Sequence, residues 1–145
     1  MNEPVFKWVA QVRDYELDCQ GIVNNATFIN YLEQCRNDYG RANGIDYIKY
    51  HQAGFDFVVA AIDIKYRQPL SAGEAFYVTA ELVAITEKRL HFKQEIFRQD
   101  QQKPAATAMI DIACVDRKTG KSGLPDTLLT QLLAINPQLA QQTAG

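Results

Sequence analysis

The strongest constraint on this chain is a switch of apolar period. Five segments alternate apolar and polar residues at every second position, whereas one recurs at three- and four-residue steps. In residues 5–13, Phe6, Trp8, Ala10 and Val12 fall on one face and Lys7, Gln11 and Arg13 on the other, as in a half-buried strand. From about Asn25 the spacing changes. Phe28, Tyr31 or Leu32, Cys35 and Tyr39 line one face of an amphipathic helix, and Asn30, Glu33, Asn37, Asp38 and Arg41 fill the rest. Asn43-Gly44 supplies the left-handed residue that stops it, so the spacing predicts a helix of about five turns.

Strand period then returns four times. Val58, Ala60, Ile62, Ile64 and Tyr66 share a face opposite Asp63, Lys65 and Arg67, until Pro69 breaks the alternation. A third strand is predicted over residues 75–86 and a fourth over 90–98, joined as a hairpin by Glu87-Lys88-Arg89. The fifth places Ala106, Ala108, Ile110, Ile112 and Cys114 on one face and ends in the turn Asp116-Arg117-Lys118-Thr119-Gly120. Pro125 suits the first turn of a short C-terminal helix. This order predicts an α+β domain: a five-stranded antiparallel sheet wrapped around one long helix, followed by a short helix.

A length of 145 residues fits one domain over 1–145, and 47% hydrophobic with 22% charged residues excludes intrinsic disorder. Fifteen Lys and Arg against 17 Asp and Glu leave a net charge of -2, without the basic excess of a nucleic-acid binder. The apolar run Phe57–Ile62 is strand-sized, so no membrane span is expected. The N-terminus has an acidic residue at position 3 and no apolar signal region, which places the expected location in the cytoplasm. Cys19, Cys35 and Cys114 are odd in number and scattered, unlike a disulfide framework; with His51 and His91 equally scattered, no metal site is expected.

Chemistry concentrates between Arg13 and Arg36, RDYELDCQGIVNNATFINYLEQCR. A polar loop with a carboxylate and a glycine runs directly into a helix N-terminus, whose first N–H groups lack intrahelical partners and can donate to a developing oxyanion. The segment resembles the hotdog-fold acyl-CoA thioesterases of the 4-hydroxybenzoyl-CoA thioesterase and Tol-Pal-associated group. The motif D-x-x-G-[IVH]-V-x-[NYH]-x-x-[YF], followed by Y-x-E-x-x-R, reads here as Asp18, Gly21, Ile22, Val23, Asn25, Phe28, Tyr31, Glu33 and Arg36. The segment IKYRQPLSAGE extends the likeness into the second strand.

The resemblance implies that Asp18 is the catalytic carboxylate, as nucleophile or as general base on water. It implies further that the Asn25 backbone N–H polarises the thioester carbonyl and that Gly21 lets the loop approach the ligand. Several relatives carry His or Tyr where this chain has Asn24 and Asn25, which cannot transfer protons at neutral pH. Basic residues at strand ends would hold CoA phosphates: Lys88 and Arg89 first, then Arg67, with Arg117, Lys118 and Lys121 ranked below. Tyr31 is expected at the substrate site. The implied activity is hydrolysis of an acyl-CoA, with no cofactor beyond the substrate's CoA, by a homodimer or homotetramer. An acyl carrier protein in place of CoA, or a non-catalytic acyl-CoA-binding module, are the alternatives.

Each candidate has a plainer reading beside it. Asp18 can be a solvated loop aspartate, as Asp14 and Glu16 are read to be. Cys19 can be imagined as a nucleophile with His51 or His91 as base, but neither histidine sits in a partner motif, and both read as surface or interface residues. Glu33 is the alternative base, although at a three-residue step it can simply pair with Arg36. Lys65, Arg67, Lys88 and Arg89 can all be solvated charges.

Overall fold

The computed structural model describes residues 5–142. Its elements run β1 (Phe6–Gln11), α1 (Asn25–Ala42), α2 (Tyr47–Gln52), β2 (Phe55–Tyr66), β3 (Ala75–Ile85), β4 (Arg89–Arg98), β5 (Ala106–Asp116) and α3 (Asp126–Ile135). The five strands form one sheet in the order β1-β3-β4-β5-β2, so β1 and β2 are its edges. β1 lies antiparallel to β3, with Phe6 opposite Ala80 and Gln11 opposite Ala75. A five-stranded antiparallel sheet with one long helix and a short C-terminal helix is the predicted architecture.

The residues group into two compact halves. One comprises residues 5–39 with Asp63–Glu81 and Lys93–Ala108; the other comprises Gly40–Ile62, Leu82–Phe92 and residues 109–142. In the first, the apolar face of α1 buries Phe28, Tyr31, Leu32 and Cys35 together with Phe76, Val78, Ala80 and Ile96 of the sheet. Tyr31 and Phe76 stack with ring centroids 4.5 Å apart. The fully buried Gln94 donates to the Leu32 carbonyl at 3.1 Å and accepts from Arg36 Nη1 at 3.0 Å, so its polar groups are satisfied inside the core. Arg36 is therefore a buried core partner of β4, and Glu33 is left exposed.

In the second half, Ile45, Leu82, Ile85, Leu90, Phe92, Leu128 and Leu132 are buried. Residues 47–52, which the apolar period leaves without an assigned element between the long helix and the next strand, form α2. Asp46 caps it by accepting from the N–H groups of Ile48 and Lys49 at 3.0 and 3.1 Å. The ring of Tyr47 lies where a Cβ on Gly40 would stand, 2.5 Å from the nearest ring carbon, so only glycine permits this packing. Tyr50 then donates to Gln131 of α3 at 2.7 Å.

Two further details depart from expectation. The β3–β4 turn is Thr86-Glu87-Lys88, with Arg89 already in β4, because the Thr86 hydroxyl accepts from the Lys88 and Arg89 N–H groups. Along β2, Val58 to Ala61 are all exposed, so the alternation read there does not separate a buried face from a wet one. As an edge strand, β2 has no neighbour on one side to cover it.

Candidate active site

The loop between β1 and α1 begins with a single 3-10 turn, Asp14–Glu16. Leu17 bridges Val23, and Asp18 N–H donates to the Ile22 carbonyl at 2.8 Å, closing a small antiparallel loop. Gly21 sits at its tip with φ of +79°, a conformation that costs any residue with a Cβ. The Asp18 side chain folds back inside this loop. Its Oδ1 accepts from the N–H of Gln20 at 2.8 Å and of Ile22 at 3.4 Å, while among the described residues nothing donates to Oδ2. One oxygen therefore fixes the half-buried carboxylate in place. Val23 N–H to the Leu70 carbonyl, at 2.8 Å, and an Ile22–Ser71 bridge fasten the loop to the segment after β2.

The entry to α1 follows directly. Asn24 is the N-cap: its Oδ1 accepts from Ala26 N–H at 2.9 Å, and its carbonyl accepts from Thr27 and Phe28. The second, third and fourth helical N–H groups are thus occupied. Among the described residues no acceptor is found for the first, that of Asn25. The Asn25 carbonyl accepts from the Tyr66 hydroxyl at 2.9 Å, and the Tyr66 ring packs edge-on against Phe28 with centroids 5.4 Å apart. An unpartnered N–H at the positive end of an 18-residue helix is the kind of donor an oxyanion takes.

Glu16 departs from its reading as a surface charge. It is half-buried, and its Oε1 accepts from Arg13 N–H and from the Tyr31 hydroxyl, both at 2.8 Å. Tyr31 is only 4% exposed, and burial together with the Glu16 carboxylate pushes its hydroxyl well above the ordinary range. Its ring is built into the core and its hydroxyl is bonded to Glu16. Asp14 is exposed, as read.

The sequence-predicted residues divide accordingly. Asp18 and Gly21 share one closed loop, Asn25 opens the helix after it, and no direct bond joins Asp18 to Asn25. Arg67 is exposed just beyond β2, its N–H donated to the Ala105 carbonyl. Lys88 and Arg89 are exposed and belong to the other half; the Arg89 guanidinium lies 3.8 Å from Asp111. Both histidines are engaged elsewhere, His51 with Asp56 and His91 with Asp111, each at 2.6 Å, and neither is bonded to Cys19. Burial pushes the Cys35 thiol up to about 12 and Cys114 to about 11, so both stay protonated at neutral pH.

Sequence reasoning missed three contributors. Asn24 had a signal, since Asn is among the favoured N-caps. Tyr66 stood inside the matching segment IKYRQPLSAGE, but its partner Asn25 lies 41 residues away; Glu16 had no signal, its partner Tyr31 lying 15 residues away.

A thioesterase-like superfamily model matches residues 12–137. The chain belongs to that superfamily. Among curated relatives, it is 28% identical to the plastid acyl-acyl carrier protein thioesterase ATL3 of Arabidopsis thaliana over 85% of this chain. That match spans 65% of the plant protein's length. It is 32% identical to the long-chain acyl-CoA thioesterase FadM of Escherichia coli (strain K12), covering 77% of this chain and 84% of that one. The crystal structure of YbaW, a probable thioesterase from Escherichia coli, superposes with a TM-score of 0.76 at 30% identity, covering 88% of this chain and 96% of that one. The fold is the hotdog of the superfamily's thioesterases. None of the superfamily member's described helices is long and apolar enough to cross a membrane.

Proposed function

We propose that this superfamily member is an acyl-CoA thioester hydrolase acting as one hotdog domain, with Asp18 and the Asn25 N–H as its reaction centre. The observation that carries the reading is the helix entry: Asn24 occupies the next three N–H groups and leaves that of Asn25 without an acceptor, one short loop away from a fixed carboxylate. The thioester carbonyl oxygen would take the Asn25 N–H, which stabilises negative charge as the carbonyl carbon becomes tetrahedral. Asp18 would either accept a proton from the attacking water or attack the carbon itself, giving an anhydride that water then hydrolyses. On either path the C–S bond breaks, the acyl group leaves as a carboxylate and CoA leaves as a thiol. Gly21 keeps the loop tip free of a side chain, and Lys88, Arg89 and Arg67 are the cations assigned to the CoA phosphates.

A cytoplasmic location belongs to the same reading: Cys35 and Cys114 are buried free thiols and Cys19 an exposed one, and a reducing compartment keeps such thiols reduced. The exposed edge of β2 supports a homodimer or a homotetramer, since an uncovered strand edge is an association site. An acyl carrier protein as the thioester donor is the second reading, favoured by the plant relative's name.

Thiol release measured over short, medium, long and aromatic acyl-CoAs, and over the same acyl groups on a carrier protein, tests the proposal. Turnover on CoA substrates is expected. Turnover confined to the carrier-protein series favours the second reading, and binding without turnover on either contradicts both.

A further inference from the structure

Three main-chain and side-chain ties converge on one residue outside the proposed reaction centre. The Glu16 carbonyl accepts from Asn24 N–H at 3.0 Å, joining the two ends of the segment that carries Asp18 and Gly21 immediately before Asn25. The Glu16 carboxylate takes the Arg13 N–H, which fixes the preceding turn. The same oxygen takes the Tyr31 hydroxyl, which anchors the loop to α1. Tyr31 cannot drift, because its ring is packed against Phe76, Trp8 and Phe28 with centroids 4.5, 6.0 and 6.3 Å away. Its hydroxyl, held protonated by burial and by the carboxylate it faces, remains a donor across the physiological range.

We infer that Glu16 is a positioning residue for the hydrolysis. Held between the Arg13 N–H and the Tyr31 hydroxyl, it clamps the closed Asp18 loop to α1 and so sets where the Asp18 carboxylate stands relative to the Asn25 N–H. The inference rests on the reading of Asp18 and Asn25 as the reaction centre. Glu16 touches no reacting atom; it acts through the two groups that do. Its requirement is for an acceptor oxygen at this place, not for a charge, since both of its partners are neutral donors.

The test is steady-state thiol release by Glu16→Ala, Glu16→Gln and Tyr31→Phe, each also combined with Asp18→Asn. A displaced catalytic group costs up to about a hundredfold in rate. Glu16→Ala is therefore expected to lose about ten- to a hundredfold in kcat with KM changed less than about threefold. Tyr31→Phe, which removes one hydroxyl and keeps the ring, should lose less, about three- to tenfold. Glu16→Gln retains an acceptor oxygen and should recover most of the loss. In the Asp18→Asn background Glu16→Ala should cost almost nothing more, because the group it positions is already disabled. A merely structural role would instead lower activity equally in both backgrounds, or raise KM, and would overturn the inference; so would a fully active Glu16→Ala. Should Glu16→Ala fail to fold, Tyr31→Phe carries the same comparison. If Asp18→Asn itself is harmless, the reading beneath fails, and a loss on Glu16→Ala in that enzyme contradicts the positioning role as well.

Discussion

Two parts of this molecule hold a half-buried aspartate by hydrogen bonds, and they hold it in opposite ways. In the loop before α1, Asp18 is fixed by neutral main-chain N–H groups through one oxygen, and no cation among the described residues is bonded to it. At the start of β2, Asp56 is met by His51 at 2.6 Å and by Arg117 Nη1 at 2.8 Å, and Arg117 also donates to the His51 carbonyl. His51 and then Arg117 hold the Asp56 carboxyl below its ordinary value, against an opposing effect of burial. The second arrangement spends its charge internally and serves to fasten α2 to the turn after β5. The first fixes a carboxylate in place with no cation among the described residues beside it, the condition under which a carboxylate can act on something else. Of these two aspartates, the one without an ionic partner among the described residues is the candidate for chemistry.

Removing each charge sharpens that contrast. Asp18→Asn keeps the shape and an acceptor oxygen, yet the amide neither attacks a thioester nor takes a proton from water; kcat in a thiol-release assay should fall roughly 10²- to 10⁴-fold. Asp14→Asn, on the same loop but exposed, should be silent in that assay. Retention of more than about a tenth of wild-type turnover by Asp18→Asn, a change of only ~1.4 kcal/mol, would transfer the role to another carboxylate, Glu33 first.

A smaller effect is expected from the basic turn. With Lys88 and Arg89 both replaced by Ala, KM for acyl-CoA should rise about three- to thirtyfold while kcat changes little, because contacts far from the reacting carbon serve ground state and transition state alike. The rise should vanish with an acyl-pantetheine lacking the nucleotide. An equal loss on both substrates would place the phosphate contacts elsewhere.

The smallest effect belongs to the Asp56 clasp. Asp56→Asn or Arg117→Ala should leave thiol release within about twofold of wild type, since surface ion pairs contribute little, and lower the melting temperature only slightly. Because the folded-state value of Asp56 lies below the ordinary 3.8, its contribution to stability is present above pH 3.8 and is lost as the pH falls through that value toward the lower one. Melting curves of wild type and Asp56→Asn should therefore converge under acid conditions and differ most near neutrality. A difference that widened toward low pH would contradict the clasp.

Much of this was legible in the sequence, for identifiable reasons. Alternation located all five strands because most side chains in a five-stranded sheet over one helix have a dry face and a wet face. It failed at Val58–Ala61, where an edge strand lacks a covering neighbour. Helical period found α1 and missed α2, because six residues span too little to show a period, although Asp46 marked its start. The motif picked out Asp18, Gly21 and Asn25, but not why the Asn25 N–H is the open one. That depends on Asn24 turning its side chain onto Ala26, a rotamer choice invisible in a string of letters. Glu16 was read as a surface charge because nothing local distinguishes it from Asp14. Its partner is brought in by the packing of α1 on the sheet.

On the proposed reading, the main-chain N–H of Asn25 that opens α1 without an acceptor among the described residues takes the thioester oxygen. Asn25→Pro tests it most directly, since proline is well accommodated at the first helical position and removes only the N–H from the main chain. Measured against Asn25→Ala, which changes the side chain and keeps the donor, Asn25→Pro should lose a further 10²- to 10³-fold in kcat with its circular dichroism spectrum unchanged. If a folded Asn25→Pro enzyme turns over acyl-CoA within about threefold of Asn25→Ala, the Asn25 N–H is not the oxyanion donor and the account of this site is wrong.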